Sequence, residues 1–335
     1  MFDYKLNLQL FAELNTNVTT DSGLSVENKT FYDMTLIDTA QPLLVHEQFG
    51  QKRPIPKNGG KKIEFRQYAS LPKALTPLTE GVTPDGSKLS VTSIEAEVSQ
   101  YGNYVTLSDI LDLTAIDNNV VEATKACGRQ AGLTIDTITR NVLQACPNVW
   151  YCPTSEGVTV SSRANLDKTC KLTVKTVKKV AAFLKANNAP KIGDSYVAII
   201  HPYAAFDLME DPEWKYPHQY QDTSNLYEGE IGKIGGVRFV ETSEAKIFYR
   251  KDDESPKYGV FSTLFIAEGA YGVTEITGGG LETIVKQLGS AGTGDPLNQR
   301  STVGWKATKT AEVLVPAYMV RVESMGDFSA ETEAN

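Results

Sequence analysis

The stretch from Thr106 to Cys146, TLSDILDLTAIDNNVVEATKACGRQAGLTIDTITRNVLQAC, constrains this chain more than any other. Thr106, with Asp109 after it, has the form of a capping box. Asp117-Asn118-Asn119 then breaks or recaps the helix. From there Val120, Thr124, Cys127, Ala131, Ile135, Ile138, Val142 and Cys146 recur at helical spacing and share one stripe. The spacing predicts a helix from Val120 to about Cys146, roughly 40 Å long at about 1.5 Å per residue. Pro147 limits its continuation. A helix of that length, with one apolar stripe and a polar back, is a beam on which other elements lie. It carries no histidines and carboxylates paired at ligand spacing.

The bulk properties narrow the class. A chain of 335 residues has room for a sizeable core and one to three lobes. Its formal net charge of -8 argues against a surface built to hold nucleic acid. It suits a protein that must stay soluble and not stick to its contents. Cys127, Cys146, Cys152 and Cys170 are too widely spaced for a disulfide framework, and no Cys-x-x-Cys occurs. They read as buried or idle thiols in a reducing cytosol. MFDYKLNLQLFAEL places Asp3 before its apolar residues, ends in Glu13 and has no signal-type cleavage site. No run approaches the roughly 18 apolar residues of a membrane span.

In chain order, residues 1–26 read as weakly structured, and 27–46 as an arm with an adhesive segment around Phe31, Leu36, Ala40 and Leu43-Leu44. Lys62 to Tyr68 alternates, with Ile63 and Phe65 on one side and Glu64 and Arg66 on the other. Thr83-Pro84-Asp85-Gly86 is a turn, and Leu89 to Thr106 reads as one long strand with Ile94, Ala96 and Val98 on its apolar face. These make a long hairpin, and an isolated hairpin is marginal in water. It lies either on its own domain or over a neighbouring subunit.

Beyond the long helix, Thr173 caps a second one, VKTVKKVAAFLKANN, with Val174, Val177, Val180-Ala181 and Leu184 inside and Lys175, Lys178, Lys179 and Lys185 outside. SYVAII at 195–200 reads as a central strand covered on both faces. HPYAAFDLM then opens a short helix, with Pro202 early in it. Gly235-Gly236 turns into a strand, and more strands fall at 245–249, 258–267, 271–276 and 281–287. GSAGTGDP at 289–296 reads as a mobile loop, and 301–322 as a return to strand character that closes against an earlier layer, the long helix. The tail from Glu323 is acidic and expected to fray. The fold class is α+β.

Chemistry is sparse. Gly289 to Gly294 lacks the Gly-Lys-Ser/Thr ending of a phosphate loop. His46, His201 and His218 sit at unrelated spacings. His201 follows a buried strand, where an α/β enzyme often keeps a catalytic group, but Ser195 and Asp207 form no nucleophile elbow with it. Asp109, Asp112 and Asp117 read as helix-start charges. Asp211, Glu213, Asp222, Glu228 and Glu230 read as a solvated acidic loop rather than a cation site. No catalytic, cofactor-binding or metal-ligating residues are assigned, and no cofactor is expected.

The blocks LNLQLFAE, YVTLSDILDLTAIDN, YVAIIHPYAAFDLMEDPEW, GEIGKIGGVRFVET and DPLNQRSTVGWKATKTAEVL occur in this order from end to end. They resemble the major capsid proteins of tailed bacteriophages with the HK97-type fold, and more narrowly the phage N4-type family. The resemblance implies an N-terminal arm (1–46), an extended hairpin or E-loop (47–105) and a peripheral domain with the spine helix (106–170). It further implies an axial domain (171–295), then a return strand to the peripheral domain and a C-terminal tail (296–335). It implies a structural, non-enzymatic subunit that assembles as hexamers and pentamers into an icosahedral head. Such a head forms in the host cytoplasm, ends in the virion, and encloses double-stranded DNA without sequence-specific binding or a membrane. A separate scaffolding protein, a portal and, as in some relatives, a decoration protein are the implied partners. Some relatives cross-link their hairpins through a Lys–Asn bond; nothing selects a donor among Lys61, Lys62, Lys73 and Lys88. Two alternatives stand beside this: an encapsulin-like nanocompartment shell subunit, and a cytosolic α/β enzyme with its site near His201.

Overall fold

The computed structural model describes residues 16–17, 45–68, 71–77, 80–81, 83, 86–114, 119–214, 230–250, 257–290, 292–330 and 332–335. Most of the arm, Asp117, His218, Asp222, Glu228 and the turns at 84–85 and 251–256 lie outside them.

Along the chain run β1 (Thr16–Asn17), β2 (Gln51–Lys52), β3 (Lys62–Tyr68), β4 (Val91–Glu97) and β5 (Ser99–Ser108). Then follow α1 (Asp109–Thr114), α2 (Asn119–Gln144), β6 (Val149–Tyr151), α3 (Val174–Ala186), β7 (Tyr196–Ile200) and α4 (Pro202–Met209). Next come β8 (Glu230–Ile234), β9 (Val237–Glu241), β10 (Ile247–Tyr249), β11 (Gly259–Ile266), β12 (Tyr271–Thr274) and β13 (Glu282–Lys286). β14 (Arg300–Val313) and β15 (Met319–Ser324) complete the order. The described chain divides into two compact units: residues 100–136 and 279–308 with β1, and residues 45–99, 137–278 and 309–335.

In the first unit, β1 pairs with β5, β5 with β14, and β13 with β14. The predicted stripe of the long helix packs here: Val120, Cys127, Ala131 and Ile135 lie on Leu107, Val303, Trp305 and Ala307. This is the returning strand closing on the helix. Gln130 fixes the register by accepting from Trp305 Nε1 at 3.2 Å and from Asn103 Nδ2 at 3.0 Å. The capping box at Thr106 is not formed. β5 runs through Thr106, and Ser108 Oγ accepts from the Leu111 N–H at 3.3 Å instead.

The second unit is built on a sheet ordered β6–β15–β11–β7–β9–β8, with β10 beside β11. β7 is buried throughout because both its faces are covered. Tyr196, Ala198 and Ile200 join the apolar face of α3, while Ile199 meets Leu143 and Cys146 at the far end of α2. α3 starts where expected, with the Thr173 side chain accepting from the Thr176 N–H, and buries the expected face. Asp211 adds to that start by accepting from the Val174 N–H at 2.9 Å. Gly235 and Gly236, at φ 62° and 84°, form the tight turn that joins β8 to β9.

Two further expectations fail, at Val98 and in the tail. The long strand Leu89–Thr106 is broken at Val98, which is buried and donates its N–H to the Lys61 carbonyl at 2.8 Å. The loop at 289–296 is anchored at its end: buried Asp295 accepts from the Arg300 N–H at 2.8 Å, and Arg300 donates to the Gly294 carbonyl at 2.7 Å. The tail does not fray. Glu323 is fully buried, Met325 and Ser329 are buried, and Phe328 stacks on Tyr203 with ring centroids 4.5 Å apart.

Candidate functional site

β3 and β4 pair antiparallel from Lys62 with Glu97 to Tyr68 with Val91. The hairpin has two halves of different character. Near its root, Phe65 and Ala96 are buried with Leu314, flanked by Ile63 and Val315. The root segment is pinned as well: the buried Lys309 ammonium pairs with Glu47, and the Tyr271 hydroxyl donates to the His46 carbonyl. The bland expectation, a hairpin lying on its own domain, holds for this half.

The outer half is different. Tyr68 and Val91, the last pair, are 65% and 49% exposed, and Leu71, Leu75 and Leu89 are 54%, 82% and 67% exposed. Every described residue from 71 to 77 and from 86 to 93 is exposed. A strand ribbon with this much apolar surface in water is stabilised by whatever covers it, at about 25 cal/mol per Å². The charged neighbours, Lys62 with Glu95 and Arg66 with Glu64, are exposed pairs of small energetic weight. A second exposed apolar ridge runs along α4, with Tyr203, Phe206 and Met209 each about two-fifths exposed.

The residues weighed for chemistry have structural roles. His201 caps α4: its Nδ1 accepts from the Tyr203 N–H at 3.2 Å, and its ring stacks on Phe261. Burial lowers its pKa to about 4, so it is neutral at pH 7. Asp207 pairs with Lys171 at 3.0 Å, and burial raises its pKa. Ser195 holds the turn into β7 through its backbone, and no bond joins these three residues to one another. Glu213 pairs with Lys178 on the outer face of α3. The four cysteines are free and buried, and burial raises the pKa of each.

Sequence reasoning missed a buried ionic group. Glu323 takes two bonds of 2.7 Å from Arg163 and one of 3.1 Å from Arg321, and Phe248 lies under both guanidinium groups. Arg163 lies 160 residues from Glu323, and a glutamate opening an acidic tail carries no sign of burial.

The fold is that of the HK97-like capsid proteins, α+β in class. The capsid structure of cyanophage P-SCSP1u matches 85% of this chain and 89% of its own, with a TM-score of 0.63 at 13% identity. The asymmetric unit of the cyanophage Pam1 capsid matches 96% and 100%, with a TM-score of 0.63 at 13% identity. The capsid of Ralstonia phage GP4 matches 84% and 88%, with a TM-score of 0.61 at 13% identity. A family model described as phage capsid protein matches residues 114–279. No curated protein matches the sequence. The chain is thus similar in fold to phage capsid proteins, and residues 114–279 resemble the phage capsid family in sequence.

Proposed function

We propose that this chain is the repeating subunit of an icosahedral phage head, arranged as hexamers and pentamers around packaged double-stranded DNA. The observation that carries the reading is the division of the hairpin: seated at Phe65 and Ala96, with Tyr68, Leu71, Leu75, Leu89 and Val91 exposed beyond them. A protomer that leaves such a ribbon in water gains most when a sister copy covers it. Closed rings of identical copies supply that cover repeatedly. Residues 47–105 then act as the E-loop and α2 as the spine. Residues 106–170 with the return strand form the peripheral domain, and residues 171–295 the axial domain at the ring centres. The blocks quoted from the sequence favour the N4-type branch. A separate scaffolding protein, a portal and a decoration protein are the assembly partners this reading implies.

Electron microscopy of the purified protein, alone and co-expressed with its neighbouring genes, tests this. Closed shells with the hairpin laid over an adjacent copy are expected, filled with double-stranded DNA when packaging is reconstituted. A stable monomer under all conditions sinks the reading. Shells that hold a cargo enzyme and never DNA transfer the chain to the nanocompartment class.

A further inference from the structure

The chain is acidic overall, with a formal net charge of -8, yet one segment runs the other way. Between Asp167 and Asp194 there are seven lysines and no aspartate, glutamate or arginine. Four of them, Lys175, Lys178, Lys179 and Lys185, lie on α3. At about 100° per residue these four fall within one arc of roughly 120°, and Lys175 and Lys185 stand about 15 Å apart along the axis. Burial of Val174, Val177, Val180, Ala181 and Leu184 on the opposite side turns that arc to solvent.

The arc holds little besides ammonium groups. Its other exposed residues are Ala182 and Ala186. Of the segment's lysines, only Lys171 and Lys178 have a carboxylate partner among the described residues. The Lys178 pair with Glu213 is exposed and of small energetic weight. Beside Lys179 the surface is hollow: a recess of about 380 Å³ is lined by Trp150, Thr159, Ser161 and Lys179 itself. Hydroxyls and an ammonium are the donors from which phosphate oxygens accept.

A lysine face without an apolar centre is the wrong surface for a protein partner. Protein interfaces are depleted in lysine and concentrate their energy in buried aromatic and arginine anchors. A linear polyanion needs neither. Its charges repeat along a line, and ammonium groups hold it by releasing its counterions. A lone phosphate group calls instead for a converging cradle of backbone N–H groups or a forked guanidinium. The lysines here are spread along the helix.

We propose that the exposed face of α3, with the recess at Lys179, is a contact surface for the phosphodiester backbone of double-stranded DNA. The choice of DNA as the polyanion rests on the proposed role as a head subunit, whose shell encloses it. Contact is to phosphate alone, so it carries no sequence preference. The acidic charge on the rest of the chain opposes it, so one copy holds the duplex weakly and the hold fades with salt. Weak contacts repeated around a shell add up without any single one being strong.

Anisotropy of a short fluorescent DNA duplex, titrated with the unassembled full chain as sodium chloride is raised, tests this apart from shell formation. A chain that builds shells but has no affinity for the duplex keeps its role as a subunit and loses this surface. Wild type is expected to bind at low salt, equally to duplexes of different sequence. In the Lys175→Ala, Lys179→Ala, Lys185→Ala variant the affinity is expected to fall roughly tenfold or more. The slope of log K against log salt is expected to drop by about 2–3, near 0.9 for each lost contact. Alanine favours helix, so the circular dichroism of this variant is expected to match wild type. Arginine at the same three positions is expected to restore binding. The charge-matched variant Lys125→Ala, Lys286→Ala, Lys306→Ala, on α2, β13 and β14, is expected to bind as wild type does. No salt-dependent binding by wild type would overturn the proposal, as would equal losses in the two alanine variants.

Discussion

The Phe65 ring of the hairpin rests directly on the backbone of Gly272 in β12: a Cβ added to that glycine would meet the ring at 2.9 Å and Leu314 at 3.3 Å. This contact seats the hairpin root. Gly272→Ala must push the ring or Leu314 aside, and overpacking of this kind costs about 1–3 kcal/mol. Urea unfolding is the measurement. Phe65→Ala removes the seat instead, at about 3 kcal/mol. Both variants are expected to speed hydrogen exchange in β3 and β4 while the β7–β11 ladder stays protected. Unchanged exchange in the hairpin would show that the root is held by other contacts.

Glu323 supports a different part of the molecule. Its carboxylate is fully buried and is shared by Arg163 and Arg321. Glu323→Ala leaves two guanidinium groups beside Phe248 with their shared counter-charge gone. Breaking a buried pair from one side costs about 3–5 kcal/mol. The expected result is a protein with lower Tm, most of which is recovered when Arg163→Met is added, because the second change removes an uncompensated cation. A double variant no better than the single one would contradict this account.

The pH dependence follows from His201. Burial lowers its pKa from 6.5 to about 4. The unfolded chain therefore takes up a proton at a pH where the folded chain does not. Stability is fullest above about 6.5, falls as the pH drops towards 4, and then levels off, a loss of up to about 3 kcal/mol. Asp207, whose pKa burial raises, acts in the opposite direction over the acid range. The comparison that isolates the histidine is wild type against His201→Asn, which keeps a side-chain acceptor for the helix cap. The variant is expected to lose less stability between pH 7 and pH 4.5 than the wild type. Parallel curves would assign the acid sensitivity to other groups.

What the sequence disclosed depended on range. α3 was legible to the residue, because its cap, its apolar face and its terminating asparagines are all local signals. β7 was legible because a short apolar run needs cover on both faces. The α2 stripe was read correctly as far as Ile135, but beyond it Ile138 and Val142 are only half-buried and the helix buries Thr139, Arg140, Leu143 and Gln144. Those polar residues find distant partners: Arg140 donates to the Glu244 carbonyl, and Gln144 accepts from Ser262. Periodicity cannot show partners a hundred residues away. The tail was misread for the same reason, since its seats are Tyr203, Lys171 and Arg163. The break at Val98 escaped because alternation continues through it. The bare outer hairpin, by contrast, was foreseeable from a ribbon with too little of its own to bury.

That bare outer half gives the sharpest test of assembly. Leu71, Leu75 and Leu89 are more than half exposed in the single chain, so charge there costs the fold little. In the proposed shell a sister copy covers the same side chains, and a carboxylate at each would be buried without a partner. Leu75→Glu is expected to leave Tm within about 1 °C, given the small effect of exposed substitutions on stability. The triple variant with Leu71→Glu and Leu89→Glu is expected to stay soluble and folded yet yield no closed shells by light scattering or microscopy. Leu75→Met, which keeps the apolar surface, should assemble normally. The contrast matters because an assembly defect with an unchanged fold locates the lost energy between copies. If the triple variant builds shells as readily as wild type, the hairpin tip is not what joins one subunit to the next, and the ridge of Tyr203, Phe206 and Met209 on α4 becomes the surface to examine.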